Sequence, residues 1–147
     1  MKILALMTVI LGVMIAVGNS LSGGRADMHD FQYAVPLRGS QAGKTLARAC
    51  GNCHSNQTHL PWYAHVAPLS WWINGHVRDG RDALNFSEWT TYSAQRRRDE
   101  LESICGIISN GTMPPISYRA LHPEARLGDR DKKAVCSWAA NEIEEER

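Results

Sequence analysis

Cys50, Cys53 and His54 lie in the one stretch of this chain whose residue types and spacing narrowly constrain its chemistry. The segment reads C-x-x-C-H, so two thiols stand three positions apart and an imidazole follows the second thiol directly. Thiols at that spacing can add across both vinyl groups of a haem, while the histidine reaches the iron from the same side. The motif therefore predicts one haem c, covalently attached through Cys50 and Cys53, with His54 as an iron ligand.

Two other kinds of site also use a C-x-x-C pair. A zinc site needs two further ligands, whereas Cys105 and Cys136 stand far downstream as isolated residues rather than as a second pair. A thioredoxin-like dithiol opens a helix after a β-strand, and no convincing strand pattern precedes Cys50. Both alternatives fit the sequence less well than haem does.

Met113 is the best candidate for a sixth ligand to the iron. It lies in the segment Gly111-Thr-Met-Pro-Pro, between a predicted helix and two prolines that stiffen the backbone. A thioether is a soft ligand that suits haem iron, although a lone methionine more commonly fills a gap in a core. The order of histidine ligand, long connection, Met-Pro loop and final helix favours ligation, which predicts His54 and Met113 as the metal ligands.

A histidine is the alternative sixth ligand. His76 is the strongest of these candidates because it falls on a predicted aromatic helix with Trp71 and Trp72. Most histidines of this kind are surface residues or satisfied core residues. The candidates for a bis-histidine pair are His59, His65, His76 and His122.

The N-terminus resembles an export signal. Lys2 precedes a mostly apolar run over residues 3–17, and small and polar residues follow up to position 24. We expect residues 1–24 to be a cleaved signal peptide or, as the second choice, a short membrane anchor. Either reading places residues 25–147 outside the cytoplasm, in the periplasm, where covalent haem attachment takes place in bacteria and thiols can be oxidised.

The charge balance gives no sign of nucleic-acid binding. Without Lys2 the remaining chain has fifteen basic and fifteen acidic residues. The dense basic cluster Arg96–Arg98 is more typical of a solvated helix face than of a phosphate-binding patch. We therefore expect one small domain, in which an enclosed haem supplies apolar surface that a chain of this length lacks.

Helical periodicity is clearest in three segments. Ser40 can cap a helix that runs to the haem motif, with Gly43, Leu46, Ala47 and Cys50 on one face. A second helix is predicted over about 93–110, with Gly111 as its stop. A third begins near Asp129, turns Val135, Trp138 and Ala139 inward, and ends in acidic residues that should fray its last turn. A short helix that is capped by Ser70 and ends at Gly80 is expected between the first and the second of these helices.

Eight segments follow one another along the chain: C-x-x-C-H-S-N-Q-T (50–58), PWY (61–63), APLSWW (67–72), HV (76–77), GR (80–81), LNFSEW (84–89), MPP (113–115) and HPEARL (122–127). Together and in this order they resemble the haem-binding domain family of cytochrome c-like proteins. The similarity extends from about Ala47 to Trp138. It implies an all-α, cytochrome c-like fold wrapped around one haem, with His54 as the proximal ligand and Met113 in the distal position.

Cys105 and Cys136 depart from that family pattern. They fall on the apolar faces of the second and third predicted helices. In an oxidising compartment they could form a disulfide, which is slightly favoured over two buried free thiols.

Arg81 and the aromatic middle of the chain are expected to serve the cofactor. Arg81 is a candidate for binding a haem propionate, because a carboxylate favours a charge-assisted partner, although a structural role suits it equally well. Most of the aromatic residues are expected to wall the haem or to replace aliphatic core. They are Trp62, Tyr63, Trp71, Trp72, Phe86 and Trp89.

These features predict a periplasmic monohaem c-type cytochrome that passes single electrons between redox partner proteins and is not an enzyme. The sequence contains no phosphate-binding loop and no nucleophile motif. The alternative is a haem enzyme or a gas or redox sensor whose sixth position is open or held by histidine. A third possibility is a membrane-anchored haem domain that is a fixed subunit of a larger respiratory complex.

Overall fold

The computed structural model describes residues 6–10, 12, 13 and 39–146. Between residues 39 and 146 it has six α-helices, three short 3₁₀ helices and no β-strand. The predicted all-α fold is therefore confirmed. The α-helices are α1 (Gln41–Ala49), α2 (Gly51–His54), α3 (Leu69–Ala83), α4 (Ala94–Ser109), α5 (Ile116–Leu121) and α6 (Asp129–Glu145); the 3₁₀ helices are Trp62–His65, Phe86–Thr91 and Pro123–Ala125.

Most of the predicted leader or anchor lies outside the described residues. Residues 6–10, 12 and 13 are helical, and the apolar side chains among them are exposed. Among the described residues, no helix is both long and apolar enough to cross a bilayer. The boundary between residues 24 and 25 stays a prediction.

The hydrophobic core lies where α1 and α4 pack against α6. The Trp89 and Trp138 rings pack with their centroids 6.1 Å apart, and the 3₁₀ helix that carries Trp89 closes this side of the core. Buried apolar area of this kind is the main source of folding stability. The core cluster consists of Ala42, Leu46, Leu84, Phe86, Trp89, Tyr92, Leu101, Ile104, Ile108, Val135, Trp138 and Ala139.

The predicted cap of α1 and the predicted start of α4 near Ser93 are confirmed. Ser40 Oγ accepts a hydrogen bond from the Gly43 amide at 3.0 Å, and Ser93 Oγ accepts one from Arg96 at 3.2 Å. Gly111, with φ of 76°, follows the end of α4 and adopts the left-handed conformation that suits glycine. The buried face of α1 differs from the prediction, because Ala42, Thr45, Leu46 and Ala49 are inside while Ala47 is exposed.

Helix α3 is longer than predicted and begins and ends at other residues. Pro68 precedes it, and Ser70 lies within its first turn, fully buried, with no hydrogen-bond partner for its hydroxyl among the described residues. Gly80 lies inside the helix instead of ending it. A Cβ at Gly80 would stand 3.0 Å from the Cys53 carbonyl oxygen, so glycine is needed here for close packing between α3 and α2.

A disulfide joins α4 to α6. Cys105 and Cys136 are bonded, with their Cα atoms 5.0 Å apart, so the expected bridge is present. Helix α6 continues to Glu145, and the Arg97 guanidinium donates to the Glu146 carboxylate just beyond it. The expectation that the last turn frays is therefore wrong, because an ion pair with α4 holds the acidic end.

Candidate cofactor-binding cleft

A cleft of about 390 Å³ opens between α2, α3 and the segment that runs from Met113 through α5. Its volume lies within the range of roughly 300–1,000 Å³ that is typical of cofactor and ligand pockets. Cys50, Cys53 and His54 all line it, and so does Met113. The residues that sequence reasoning assigned to cofactor attachment and iron ligation therefore share one cavity.

His54 is oriented by a backbone carbonyl. Its Nδ1 lies 3.0 Å from the Leu84 oxygen, and the Phe86 ring meets the imidazole edge-on at 6.4 Å between centroids. A carbonyl oxygen can only accept a hydrogen bond, so Nδ1 carries the hydrogen in the neutral ring. Nε2 is then left with a free lone pair, which is the form of histidine that binds a metal.

Cys50 and Cys53 are half-buried thiols that are not bonded to each other. Burial, and then the neighbouring Cys53, raises the pKa of Cys50 to about 12. Burial also raises the pKa of Cys53. Redox dithiols have lowered thiol pKa values, so these contacts do not favour a thioredoxin-like role. Among the residues described, no group of three or more His, Cys, Asp or Glu side chains could hold a metal, so a zinc site gains no support there.

Cys53 lies on α2, Cys50 directly precedes this helix, and α3 packs against it. The Gly80 backbone packs directly on Cys53, whose carbonyl oxygen and Cβ lie 3.0 and 3.3 Å from where a Cβ on Gly80 would stand. The attachment motif is thus fixed by close backbone packing as well as by the His54 hydrogen bond.

Met113 lies on a loop that is held from two sides. The Met113 amide donates to the Ile107 carbonyl at 3.4 Å, and the Arg119 guanidinium donates to the Gly111 carbonyl at 3.2 Å. Met113 is 36% exposed and lines the cleft. Ligation by Met113 stays a prediction.

The four histidines that could replace Met113 lie in different surroundings. His59 and His76 are exposed and line the cleft, and His76 packs edge-on against Trp72 with centroids 4.2 Å apart. His65 is exposed and lies outside the cleft lining. His122 lines the cleft, but Tyr63 and Glu124 occupy both of its ring nitrogens. His76 therefore stays the strongest histidine alternative.

Arg81 fixes the segment that follows the C-x-x-C-H motif. Its Nε donates to the Ser55 carbonyl at 2.8 Å, and its Nη2 donates to the Thr58 hydroxyl at 2.7 Å. It does not belong to the cleft lining, and its described contacts are structural. Binding of a haem propionate by Arg81 stays a prediction.

The aromatic residues divide into three groups instead of forming one wall. Tyr63 and Trp72 line the cleft, as expected. Phe86 and Trp89 are buried in the core, which also fits the expectation. The exposed Trp62 and Trp71 belong to neither group, so the expectation does not hold for them.

Sequence reasoning missed the polar contacts at one side of the cleft. The Asn52 amide donates to the Tyr118 hydroxyl at 2.8 Å, and the Tyr63 hydroxyl lies 2.8 Å from His122 Nε2. These contacts join residues 59 to 66 positions apart. Periodicity within one helix cannot predict pairs at that separation.

The helical fold and an apolar cleft lined by a C-x-x-C-H segment define a small haem-binding domain. The profile of the haem-binding domain family matches residues 26–141, and the chain belongs to that family. It is therefore a haem-binding protein, and the resemblance noted from the sequence motifs is confirmed at the level of the family.

One curated relative gives a more distant comparison. The chain is 21% identical over 112 residues to the cytochrome c peroxidase Ccp of Escherichia coli (strain K12), an alignment that covers 74% of this chain. It covers only 24% of the relative, so the chain spans about a quarter of that protein. No solved structure matches the chain.

Proposed function

We propose that this chain is an exported monohaem c-type cytochrome that carries single electrons between redox partner proteins. The observation that carries the proposal is the hydrogen bond from His54 Nδ1 to the Leu84 carbonyl, 3.0 Å long. In the neutral ring it leaves Nε2 without a hydrogen, and the free thiols Cys50 and Cys53 line the same cleft as His54. An oriented neutral imidazole next to a thiol pair is the donor set that covalent haem attachment requires.

Four residues of the cleft would hold the haem. Cys50 and Cys53 would hold the cofactor through two thioether bonds, and His54 and Met113 would bind its iron. The bound haem would supply reversible one-electron chemistry. The apolar cleft would exclude water, and the tethers of the Met113 loop to Ile107 and Arg119 would keep the sulfur in reach.

An electron carrier and an enzyme would differ in whether a protein side chain fills the sixth coordination position of the iron. A thioether on the iron raises the reduction potential and leaves no position open for an external ligand. Met113→Ala should therefore lower the potential, remove the weak far-red absorption of a sulfur-ligated ferric haem, and allow rapid carbon monoxide binding in the reduced protein. His76→Ala, which alters the same cleft, is the matched control and should change none of the three.

Two results would contradict this assignment. Rapid carbon monoxide binding by the wild-type protein would mean that the sixth position is open. A spectrum that responds to His76→Ala rather than to Met113→Ala would mean that His76 is the ligand.

A haem enzyme or sensor is the second candidate. The exposure of Met113 and the position of His76 beside Trp72 in the cleft favour it, because an accessible histidine could act as an acid or base. The name of the relative, a cytochrome c peroxidase, points in the same direction. Steady turnover of hydrogen peroxide that His76→Ala abolishes would support this candidate over the carrier.

Export is part of the proposal. It is supported by the apolar run over residues 3–17 and by the Cys105–Cys136 disulfide, a bond typical of oxidising compartments. Sequencing of the mature N-terminus should give a start near Asn19 or a few residues later, in protein recovered from the soluble periplasmic fraction. Recovery of the chain only from membranes, with Met1 intact, would instead indicate the anchored form.

A further inference from the structure

Tyr63, His122 and Glu124 form a hydrogen-bonded chain at one side of the cleft. The Tyr63 hydroxyl lies 2.8 Å from His122 Nε2, and His122 Nδ1 lies 2.8 Å from the Glu124 carboxylate. Tyr118 stacks on the imidazole, with centroids 4.2 Å apart and planes at 20°. Tyr63, Tyr118 and His122 all line the cavity that holds His54 and Met113.

The partners of His122 fix which atoms carry hydrogen. The backbone hydrogen bond of Glu124, and then its contact with His122, hold the pKa of Glu124 below its usual range, so this carboxylate is ionised at neutral pH. An ionised carboxylate only accepts hydrogen bonds, so Nδ1 donates to it. In the neutral ring Nε2 has no hydrogen and accepts the one from Tyr63. Nε2 can therefore accept a proton, and the Tyr63 hydroxyl next to it can either donate or accept a hydrogen bond.

We propose that His122 binds a proton when an electron enters the cleft, so that this protein couples electron transfer to proton transfer. The inference rests on the proposed electron-carrier function. An added electron removes one unit of positive charge from the cleft, and a nearby imidazolium is then more favourable. The His122 side chain is only 16% exposed, so water screens this interaction less than it would at the surface.

The coupled step balances as follows. With haem bound, a reduced redox partner would supply one electron, and solvent would supply one proton to His122 Nε2. The Tyr63 hydroxyl hydrogen then turns away from His122, and the Tyr63 oxygen accepts the new N–H bond. Oxidation reverses both transfers. The imidazolium keeps Nδ1–H bonded to the Glu124 carboxylate, which gives it a charge-assisted partner.

The charges around His122 come from several elements. Glu124 is the acid in direct contact, while Tyr63 and Tyr118 face the ring from the neighbouring 3₁₀ helix and α5. Arg48 of α1 donates to the Glu124 and Arg126 carbonyls, and Arg126 donates to the Arg119 carbonyl. These arginines keep a fixed charge over the neutral pH range.

The other titratable side chains of the cleft supply the control. They include His59, His76 and Asp79. His59 is exposed, and none of the described hydrogen bonds involves its ring. His59→Gln therefore tests whether a histidine other than His122 makes the reduction potential depend on pH.

The test measures the reduction potential of the haem-loaded protein between pH 5 and pH 9. The wild-type potential should fall with rising pH over part of this range, by at most about 59 mV per pH unit, the limit for one proton per electron. His122→Gln should abolish the slope, and His59→Gln should retain it. Glu124→Gln should move the sloping region to lower pH, because the imidazolium loses its carboxylate partner.

Proton uptake by the wild-type protein gives a second measurement that needs no variant. Reduction in weakly buffered solution with an indicator dye should consume a measurable fraction of a proton per electron, up to one, within the sloping region. A flat wild-type potential, a slope that survives His122→Gln, or a slope lost in His59→Gln would overturn the inference. A reversible couple with a flat potential would leave the electron-carrier function intact, whereas the absence of any reversible one-electron couple would refute that function.

Discussion

Gly80→Ala tests the contact that holds the attachment motif against α3. The new Cβ would stand 3.0 Å from the Cys53 carbonyl oxygen and 3.3 Å from the Cys53 Cβ. Both distances are shorter than an ordinary van der Waals contact, and the nearer atom belongs to the backbone. Helix α2 would therefore have to move to accept the methyl group. Gly75→Ala is the matched control, because nothing lies within 4 Å of its added Cβ in the same helix.

The expected size of the effect follows from two opposing terms. Alanine stabilises a helix interior by about 1 kcal/mol relative to glycine, and this gain applies at both positions. Overpacking at Gly80 costs about 1–3 kcal/mol, whereas Gly75 has no such cost. Gly75→Ala should thus raise the free energy of unfolding by up to about 1 kcal/mol. Gly80→Ala should be less stable than Gly75→Ala by about 1–3 kcal/mol.

Urea unfolding followed by far-ultraviolet circular dichroism gives both values under one set of conditions. A Gly80→Ala protein as stable as Gly75→Ala, with an unchanged haem absorption spectrum, would refute the reasoning. It would mean that α2 moves without loss of folding free energy and that close packing of Gly80 on Cys53 does not position the C-x-x-C-H motif.

Two further predictions concern the contacts of α6. Replacing Cys105 and Cys136 by serine should lower the free energy of unfolding by about 3–4 kcal/mol, since the bridge closes a loop of sequence separation 31, and urea unfolding of oxidised and variant protein measures the loss. Burial raises the pKa of Asp131, but hydrogen bonds from Thr45, Gly128 and Arg48 outweigh it, so the folded pKa lies below its usual value. The stabilisation by Asp131 is then complete above the unfolded pKa and is lost as pH falls through the folded one. Asp131→Asn should lower the free energy of unfolding by about 1–2 kcal/mol at pH 7 and should not lower it at a pH where wild-type Asp131 is protonated. Urea unfolding of both proteins from pH 7 to pH 2 measures the difference. An equal difference at every pH would contradict the prediction.

Local signals in the sequence predicted much of the fold. Ser40 was identified as a cap because a hydroxyl before a helix satisfies a free amide of its first turn. Gly111 was identified as a stop because the chain must turn left-handed there. Each of these features depends on residues within a few positions, which a single sequence displays.

Features that depend on distant contacts were missed. Gly80 was read as a helix end, but its small size is required by Cys53, 27 positions earlier. Ser70 resembled a cap, yet Pro68 precedes the helix and Ser70 is buried within it. The link between Tyr63 and His122 spans 59 positions. Hydrophobic periodicity predicts which face of a helix is buried, but it does not predict which other element packs against that face.

For the cleft, the sequence predicted the residues but not their support. Cys50, Cys53, His54 and Met113 were named from motif and order, and all four line one cavity. The carbonyl of Leu84 that orients His54 could not be anticipated, because a backbone oxygen has no sequence signature.

The central claim is that one haem is bound through thioether bonds to Cys50 and Cys53. The most direct test is the intact mass of the protein purified under denaturing conditions from a host that attaches haem to exported proteins. Addition of each S–H across a vinyl group loses no atoms, so the predicted mass is that of the mature polypeptide plus one complete haem. Cys50→Ala combined with Cys53→Ala should reduce the mass to that of the polypeptide alone. A wild-type protein that shows only the polypeptide mass, with haem released by the denaturant, would contradict the account.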